Sequence, residues 1–231
     1  MMNHTKYTKY TKYTKYWLLL TLILTVFFTG FNYLIDPYSI YKTTFFDYNK
    51  TQKNNKIRLV KAIETIQIKP KSIILGTSRA EIGYNPDHEY LSKPSYNLAT
   101  PGSSVYENML YLQHAINQGN LNKVLLVVDY IMFNKDQTEV DGFEEYFSMG
   151  NIYKYLFSFD MFKDSVYTIL NQDHKPLYQR KNGQNIYKWE FISSNGGGHL
   201  ASMKKSELNY YNNHSEILIH KSFSNFEKMV R

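Results

Sequence analysis

The chain has 231 residues, 43% of them hydrophobic and 20% charged, which suits one ordinary α/β domain with an appendage and excludes a disordered or collagen-like chain. It carries 27 basic against 20 acidic residues, a net +7, yet Lys6, Lys9, Lys12 and Lys15 all lie in the first sixteen residues and leave only +3 for the rest. A nucleic-acid binder spreads its charge over the folded part, so no nucleic-acid partner is expected; zero cysteines exclude disulfides, a thiolate zinc site and a cysteine nucleophile.

Residues 5–16 repeat Thr-Lys-Tyr four times. A period of three matches neither a helix face nor a strand face, so residues 1–16 read as a basic low-complexity tail in the cytoplasm. Trp17 to Ile35 follows, nineteen residues without a charge. As a helix this run covers about 28 Å, close to the hydrocarbon thickness of a bilayer. Lys12 and Lys15 precede it, with Tyr13, Tyr16 and Trp17 as interfacial aromatics, so the lysines hold the tail inside and place the rest of the chain outside. A cleaved signal peptide fits less well, because its apolar region is shorter and the exit FTGFNYLIDP has no small-x-small site. The expectation is a single-pass anchor, residues 17–35, in a cell inner membrane with the lipid bilayer as its partner.

Residues 36–69 read as a membrane-proximal linker and helix. An aromatic, turn-rich collar (36–48) precedes Ile57, Val60, Ile63 and Ile66, whose spacing keeps one helix face apolar until Lys69-Pro70-Lys71 stops it. Residues 70–231 read as an α/β domain. A short apolar strand, SIIL, ends at Gly76, and a second, Tyr96–Ala99, is broken by Pro101-Gly102. Ser103 or Ser104 can cap the helix Val105–Gln118, which has Glu107 in its first turn. The third strand, KVLLVVDYIMF, is apolar throughout and is expected to be buried on both faces, as central parallel strands are. Strand, strand, helix, strand in this order argues for a parallel sheet with right-handed crossovers. Phe143–Phe157, Met161–Leu170 and Phe223–Val230 read as helices, and no clear strand follows Phe133, EILIH at 216–220 being a weak one.

In parallel sheets, ligands bind beyond the C-terminal strand ends. Ser78 lies two residues past Gly76, Gly102 occupies the equivalent place after the second strand, and Asp129 and Asn134 follow the third. A hydroxyl with convergent donors is the minimum for acyl transfer through an oxyanion. Plainer roles compete at each position: Ser78 as a helix-capping turn residue, Gly102 as a turn glycine, Arg79 as an ion-pair partner of Glu81, and Asp129 as an acceptor for the N–H groups of the Ser78 loop.

The segments ILGTSR, NLATPGSS and VLLVVDYIMFN, in this order, resemble the first three blocks of the SGNH hydrolase superfamily. The closer likeness is to its membrane-anchored exported members, similar to D-alanyl-transfer and alginate-acetylation proteins, over roughly residues 70–135. The resemblance implies a flavodoxin-like three-layer parallel sheet, here incomplete. It also implies ester hydrolysis or acyl transfer on cell-envelope glycans, with an envelope glycan or acyl carrier as partner. On that likeness Ser78 matches the nucleophile and Gly102 the oxyanion glycine, while Asp129 or Asn134 stands in for the third-block asparagine. The superfamily's late Asp-x-x-His base has no match, since no Asp or Glu here has a histidine three residues on. His199, in the glycine-rich NGGGHLA, is the residue that could replace it. The expectation is therefore a chain that lacks its C-terminal part and is inactive alone. A non-catalytic envelope protein that binds a glycan or protein partner is the alternative. Asp87-His88-Glu89 and Asp173-His174 are adjacent rather than convergent, and no nucleotide or metal motif occurs, so no cofactor or metal is expected.

Overall fold

A computed structural model describes residues 4–46, 48, 50, 52–133, 147, 149–172, 178–186 and 220–231. In chain order the elements are α1 (His4–Ile35), a 3-10 helix (Lys53–Lys56), α2 (Ile57–Ile68), β1 (Ser72–Leu75), α3 (Ser78–Gly83), β2 (Ser95–Asn97), α4 (Val105–Asn117) and β3 (Lys123–Leu126). A second 3-10 helix (Tyr130–Phe133), α5 (Met149–Leu156), α6 (Phe159–Leu170), β4 (Tyr178–Gln179), β5 (Asn185–Ile186) and α7 (His220–Val230) complete them. The chain divides into two compact units, Met1–Lys53 with Gly150–His174, and Asn54–Met149 with Lys175–Arg231. These boundaries differ from those read off the sequence. α2 belongs with the sheet rather than with a linker, and residues 150–174 group with the apolar helix.

In the first unit, Lys12–Ile35 of α1 is long and apolar enough to cross a membrane, its most apolar 18-residue stretch having a mean hydropathy of 2.1 with 11% of that stretch buried. Helix continues back through the Thr-Lys-Tyr repeat to His4, because a helix nucleated in the apolar run extends at little cost per residue. Thr25 and Thr29 return their hydroxyls to carbonyls one turn earlier, 2.8 Å each, so neither offers an unmet polar group to lipid. At the helix end Asp36 is fully buried and its carboxylate accepts from the N–H groups of Ile40, Tyr41 and Thr43 at 2.8–3.4 Å. Burial is the main reason its pKa is raised. Tyr38, also buried, donates to Asp164 of α6 at 2.5 Å.

The second unit is α/β. Its sheet is parallel, in the order β2-β1-β3, with Ile73 of β1 beside Tyr96 and Val124. Because side chains alternate along a strand, Ile73 and Leu75 pack with Tyr96 and Leu98 against Ala62 of α2 and Tyr111 and Ala115 of α4. Ile74 points the other way, into Ala80, Leu91 and Ala99. α2 stops where Lys69 turns left-handed (φ 48°) ahead of Pro70, and Ser104 caps α4 by accepting from Glu107 N at 3.1 Å.

The third strand departs from expectation. β1, buried along its whole length, is the central strand, and among the described residues β3 is an outer one, which leaves Val124 43% exposed and, just beyond it, Val128 52% exposed. The apolar run splits into three parts: a four-residue strand, a loop, and the 3-10 helix whose Met132 and Phe133 pack with Val105 under Phe226 and Met229 of α7. Two kinds of burial read alike as one hydrophobic string. A strand pair does follow Phe133, the antiparallel β4–β5 hairpin. Its turn meets the outer side of β2, where Asn97 N–H donates to Asn182 O at 2.9 Å, and Gly183 (φ 80°) sits where a Cβ would strike Tyr96 and Asn97.

His114, on the buried face of α4, hydrogen-bonds Ala62 O through Nε2 at 2.9 Å and tilts against Phe147 with ring centroids 4.7 Å apart. Burial holds its pKa below the ordinary 6.5. The unfolded chain therefore binds a proton at pH values where the folded chain does not. The stability contribution is present above pH 6.5 and is lost as the pH falls from there through the folded-state pKa, at up to about 1.4 kcal/mol per pH unit. Chemical denaturation of the full chain in detergent should show this loss below pH 6.5, and His114→Gln, which keeps an N–H donor but does not titrate, should flatten it.

Candidate functional site

The C-terminal ends of the three parallel strands are tied into one another. β1 runs into Gly76-Thr77-Ser78. Gly76 N–H donates to Asn108 Oδ1 at 2.8 Å, and its carbonyl accepts from Ser103 Oγ at 2.7 Å and Thr100 N at 3.2 Å. Asn108 completes the link through Nδ2, which donates to Ser103 Oγ at 3.0 Å and Ser104 O at 2.8 Å. Gly76 is required here: φ is 147°, and a Cβ would stand 2.6 Å from Ala80 Cβ and 2.9 Å from Val127 O.

Thr77 holds the position before α3, yet its hydroxyl does not cap that helix. It donates to Asp129 Oδ2 at 2.9 Å, across to the segment after β3. Arg79 donates to the other oxygen, Asp129 Oδ1, at 3.1 Å, while its side chain stays 71% exposed. Arg79 thus pairs with Asp129 and not with Glu81. Residues two apart on a helix do not share a face, and Glu81 turns inward. Asp129 grips the Ser78 loop through these two side chains rather than through backbone N–H groups. Ser78 is the first residue of α3, half-buried, and its hydroxyl has no hydrogen-bond partner among the described residues. It is not the capping residue.

Gly102 is exposed, with φ 62°, in the turn between β2 and α4. Arg58 of α2 fixes that turn by donating to Pro101 O at 2.8 Å and to Glu107 at 3.1 and 3.3 Å. Ser78, Gly102 and Asp129 therefore sit on three loops at one edge of the sheet, joined by the Gly76–Ser103 and Thr77–Asp129 bonds. Asn134 and His199 lie outside the described residues.

Beneath α3 lies a buried ion pair that sequence reading misses. Lys61 and Glu81 are both 0% exposed and meet at 2.9 Å, and Lys61 Nζ also donates to Ala99 O. The second oxygen, Glu81 Oε2, has no hydrogen-bond partner among the described residues. Asn97 adds a third tie, its Nδ2 donating to Ala80 O and Tyr84 O at 3.0 Å each, which closes the end of α3. A signal existed in each case. Lys61 falls between Val60 and Ala62 as the one charged residue on the buried face of α2, and Asn108 falls four residues after the capping serine, on the buried face of α4.

The arrangement places the Ser78 hydroxyl at the lip of the central strand and Gly102 in the turn that follows the neighbouring strand. Asp129 accepts from Thr77 through one oxygen and from Arg79 through the other, and so ties the loop after β1 to the segment after β3. No protein-family model matches the chain, nor does any curated protein or solved structure.

Two substitution sets test how the site is held. Lys61→Met leaves the Glu81 carboxylate buried without its cation and should lower stability by about 3–5 kcal/mol, whereas pairing it with Glu81→Leu should recover most of that loss. Gly76→Ala should cost about 2–4 kcal/mol from overpacking and strain, against less than about 0.5 for Gly83→Ala, where no atom stands within 4 Å of the added methyl. Denaturant midpoints of the full chain in detergent measure both.

Proposed function

We propose that the chain is a membrane-anchored protein of SGNH-like lineage whose α/β unit, held outside the cytoplasmic face of an inner membrane, carries an acyl-ester site for cell-envelope glycans at Ser78. The observation that carries this is the position of Ser78. The sheet order β2-β1-β3 reverses direction between β1 and β3, and crevices at such switch points are where α/β sheets bind ligands. This order is also how a flavodoxin-like sheet begins. Ser78 stands at the end of β1, on a loop tied to both neighbouring strand ends.

In the proposed step Ser78 Oγ attacks the acyl carbonyl. Its proton passes to a base, a covalent acyl-serine forms, and the departing alkoxide of the donor takes a proton as it leaves. Backbone N–H groups at Ser78 and Gly102 would face the oxyanion. Among the described residues no base is hydrogen-bonded to Ser78, so that role is assigned to His199.

A second reading, a non-catalytic envelope protein that binds a glycan or protein partner, is favoured by one specific feature. Among the described residues, the acid bonded to the Ser78 loop is Asp129, and it accepts from Thr77 and Arg79 rather than from Ser78.

A fluorophosphonate probe separates the two on full-length protein in detergent. One equivalent of label, lost in Ser78→Ala and slowed in His199→Ala, is the outcome expected for the acyl-transfer site. Folded wild-type protein that takes up no label would leave the binding role as the function.

A further inference from the structure

The bare part of the anchor is too short for a bilayer. Along α1, residues 12–27 are exposed, but from Phe28 the helix is progressively covered. The covering element is α6. Phe162 meets Phe28 and Phe31 with ring centroids 4.5 and 5.2 Å apart, and Ser165 reaches Asn32. The uncharged exposed run, Trp17 to Phe27, is eleven residues, about 16 Å at 1.5 Å per residue. Starting instead from Tyr13 it reaches only about 22 Å, against about 30 Å of hydrocarbon. The missing thickness lies at the level of Phe28–Ile35, where α6 runs beside α1 in the same direction.

The corner between α5 and α6 is built for that environment. Phe157 is 67% and Phe159 72% exposed on either side of Ser158, and with Thr21, Leu24, Thr25 and Phe28 they line a groove of about 330 Å³. Backbone turns in hydrocarbon survive only if their polar groups are met within the protein. Asn32, 1% exposed inside the apolar segment, meets them here: its Nδ2 donates to Leu156 O at 2.9 Å and Ser158 O at 3.3 Å, and its Oδ1 accepts from Ser165 Oγ at 3.3 Å. Ser158 Oγ accepts from Met161 N at 3.4 Å. Along the exposed face of α6 the order from the corner is Phe159, Asp160, Lys163, Tyr167, Leu170, so an apolar ring stands at the corner and the charges follow it within the next turn.

We infer that the α5–α6 corner is a second membrane-inserted element. It dips roughly 6–10 Å into the leaflet on the Ile35 side of the bilayer, and its groove against α1 takes lipid acyl chain. This rests on α1 crossing a membrane, and the experiment separates the two statements. The chain has no cysteine, so single-cysteine variants carry one environment-sensitive nitrobenzoxadiazole label each on the full protein in phosphatidylcholine–phosphatidylglycerol vesicles. Ile23→Cys reports on the span, Phe157→Cys and Phe159→Cys on the corner, and Leu170→Cys on the far end of α6. Labels at 157 and 159 should emit to the blue and lose most of their emission to lipid carrying a nitroxide near the headgroup end of its chain. The label at 170 should emit as in water and be quenched only by soluble iodide. If 23 is quenched by lipid nitroxide while 157 and 159 respond only to iodide, the corner is not inserted and the inference fails. If 23 itself responds to iodide, the membrane span fails first.

Discussion

The exit of the central strand leaves no room for a side chain, and the candidate site depends on that. At Gly76 the first residue of α3's inner face, Ala80, and the carbonyl of Val127 close to distances that only a missing Cβ permits. The N–H and C=O of the same residue are bonded across to α4 and to the β2 loop. Each of those bonds contributes on the order of 1 kcal/mol. A methyl group 2.6 Å from another would cost more than any one of them returns. Sterics therefore set the direction in which the chain leaves the sheet, and the hydrogen bonds lock it afterwards. Ser78 is where it is because the chain had to turn there.

What could be read from the sequence was local. A cap at Ser103 or Ser104, the stop at Lys69-Pro70 and the apolar helix all announce themselves through side chains adjacent in sequence to the backbone they control. What could not be read was which partner each polar group would find. Arg79 has Glu81 two residues away and Asp129 fifty residues away, and it takes the distant one because α3 turns Glu81 toward Lys61. The string KVLLVVDYIMF looked like one buried strand because hydrophobicity records burial without saying against what. Leu125 to Val127 pack on the sheet, and Met132 and Phe133 pack under α7. Strand-end logic singles out Ser78, Gly102 and Asp129, which share one edge of the sheet, whereas the partners that Asn108, Lys61 and Glu81 take beneath them needed the fold.

The two units solve the same problem of a polar group in apolar surroundings by different means. Lys61 and Glu81 use full charges, which cost several kcal/mol each to desolvate and are tolerable only where a protein interior supplies a partner at hydrogen-bond distance. Asn32 uses a neutral amide, whose four hydrogen-bonding positions carry far smaller desolvation penalties. In a helix that is apolar over the rest of its span, an amide can be met by two carbonyls and one hydroxyl and still hold a neighbouring helix in place. Exchanging the two devices would fail at both places: an amide would leave Glu81 uncompensated, and a charge at position 32 would resist the apolar setting of α1.

On the proposed function, anchoring also bears on how little the site itself must do. Among the described residues the three loops present an exposed arginine and an exposed glycine to solvent. A soluble enzyme with such a surface would see its substrate only at bulk concentration. Tethered beside polymers that carry the acyl groups, the same surface meets them at effective concentrations in the millimolar range, where weak contacts suffice. Binding energy is then free to act on the oxyanion, where it accelerates the reaction, instead of on holding the ground state. An exposed site and a membrane anchor are consistent with each other in a way that an exposed site alone is not.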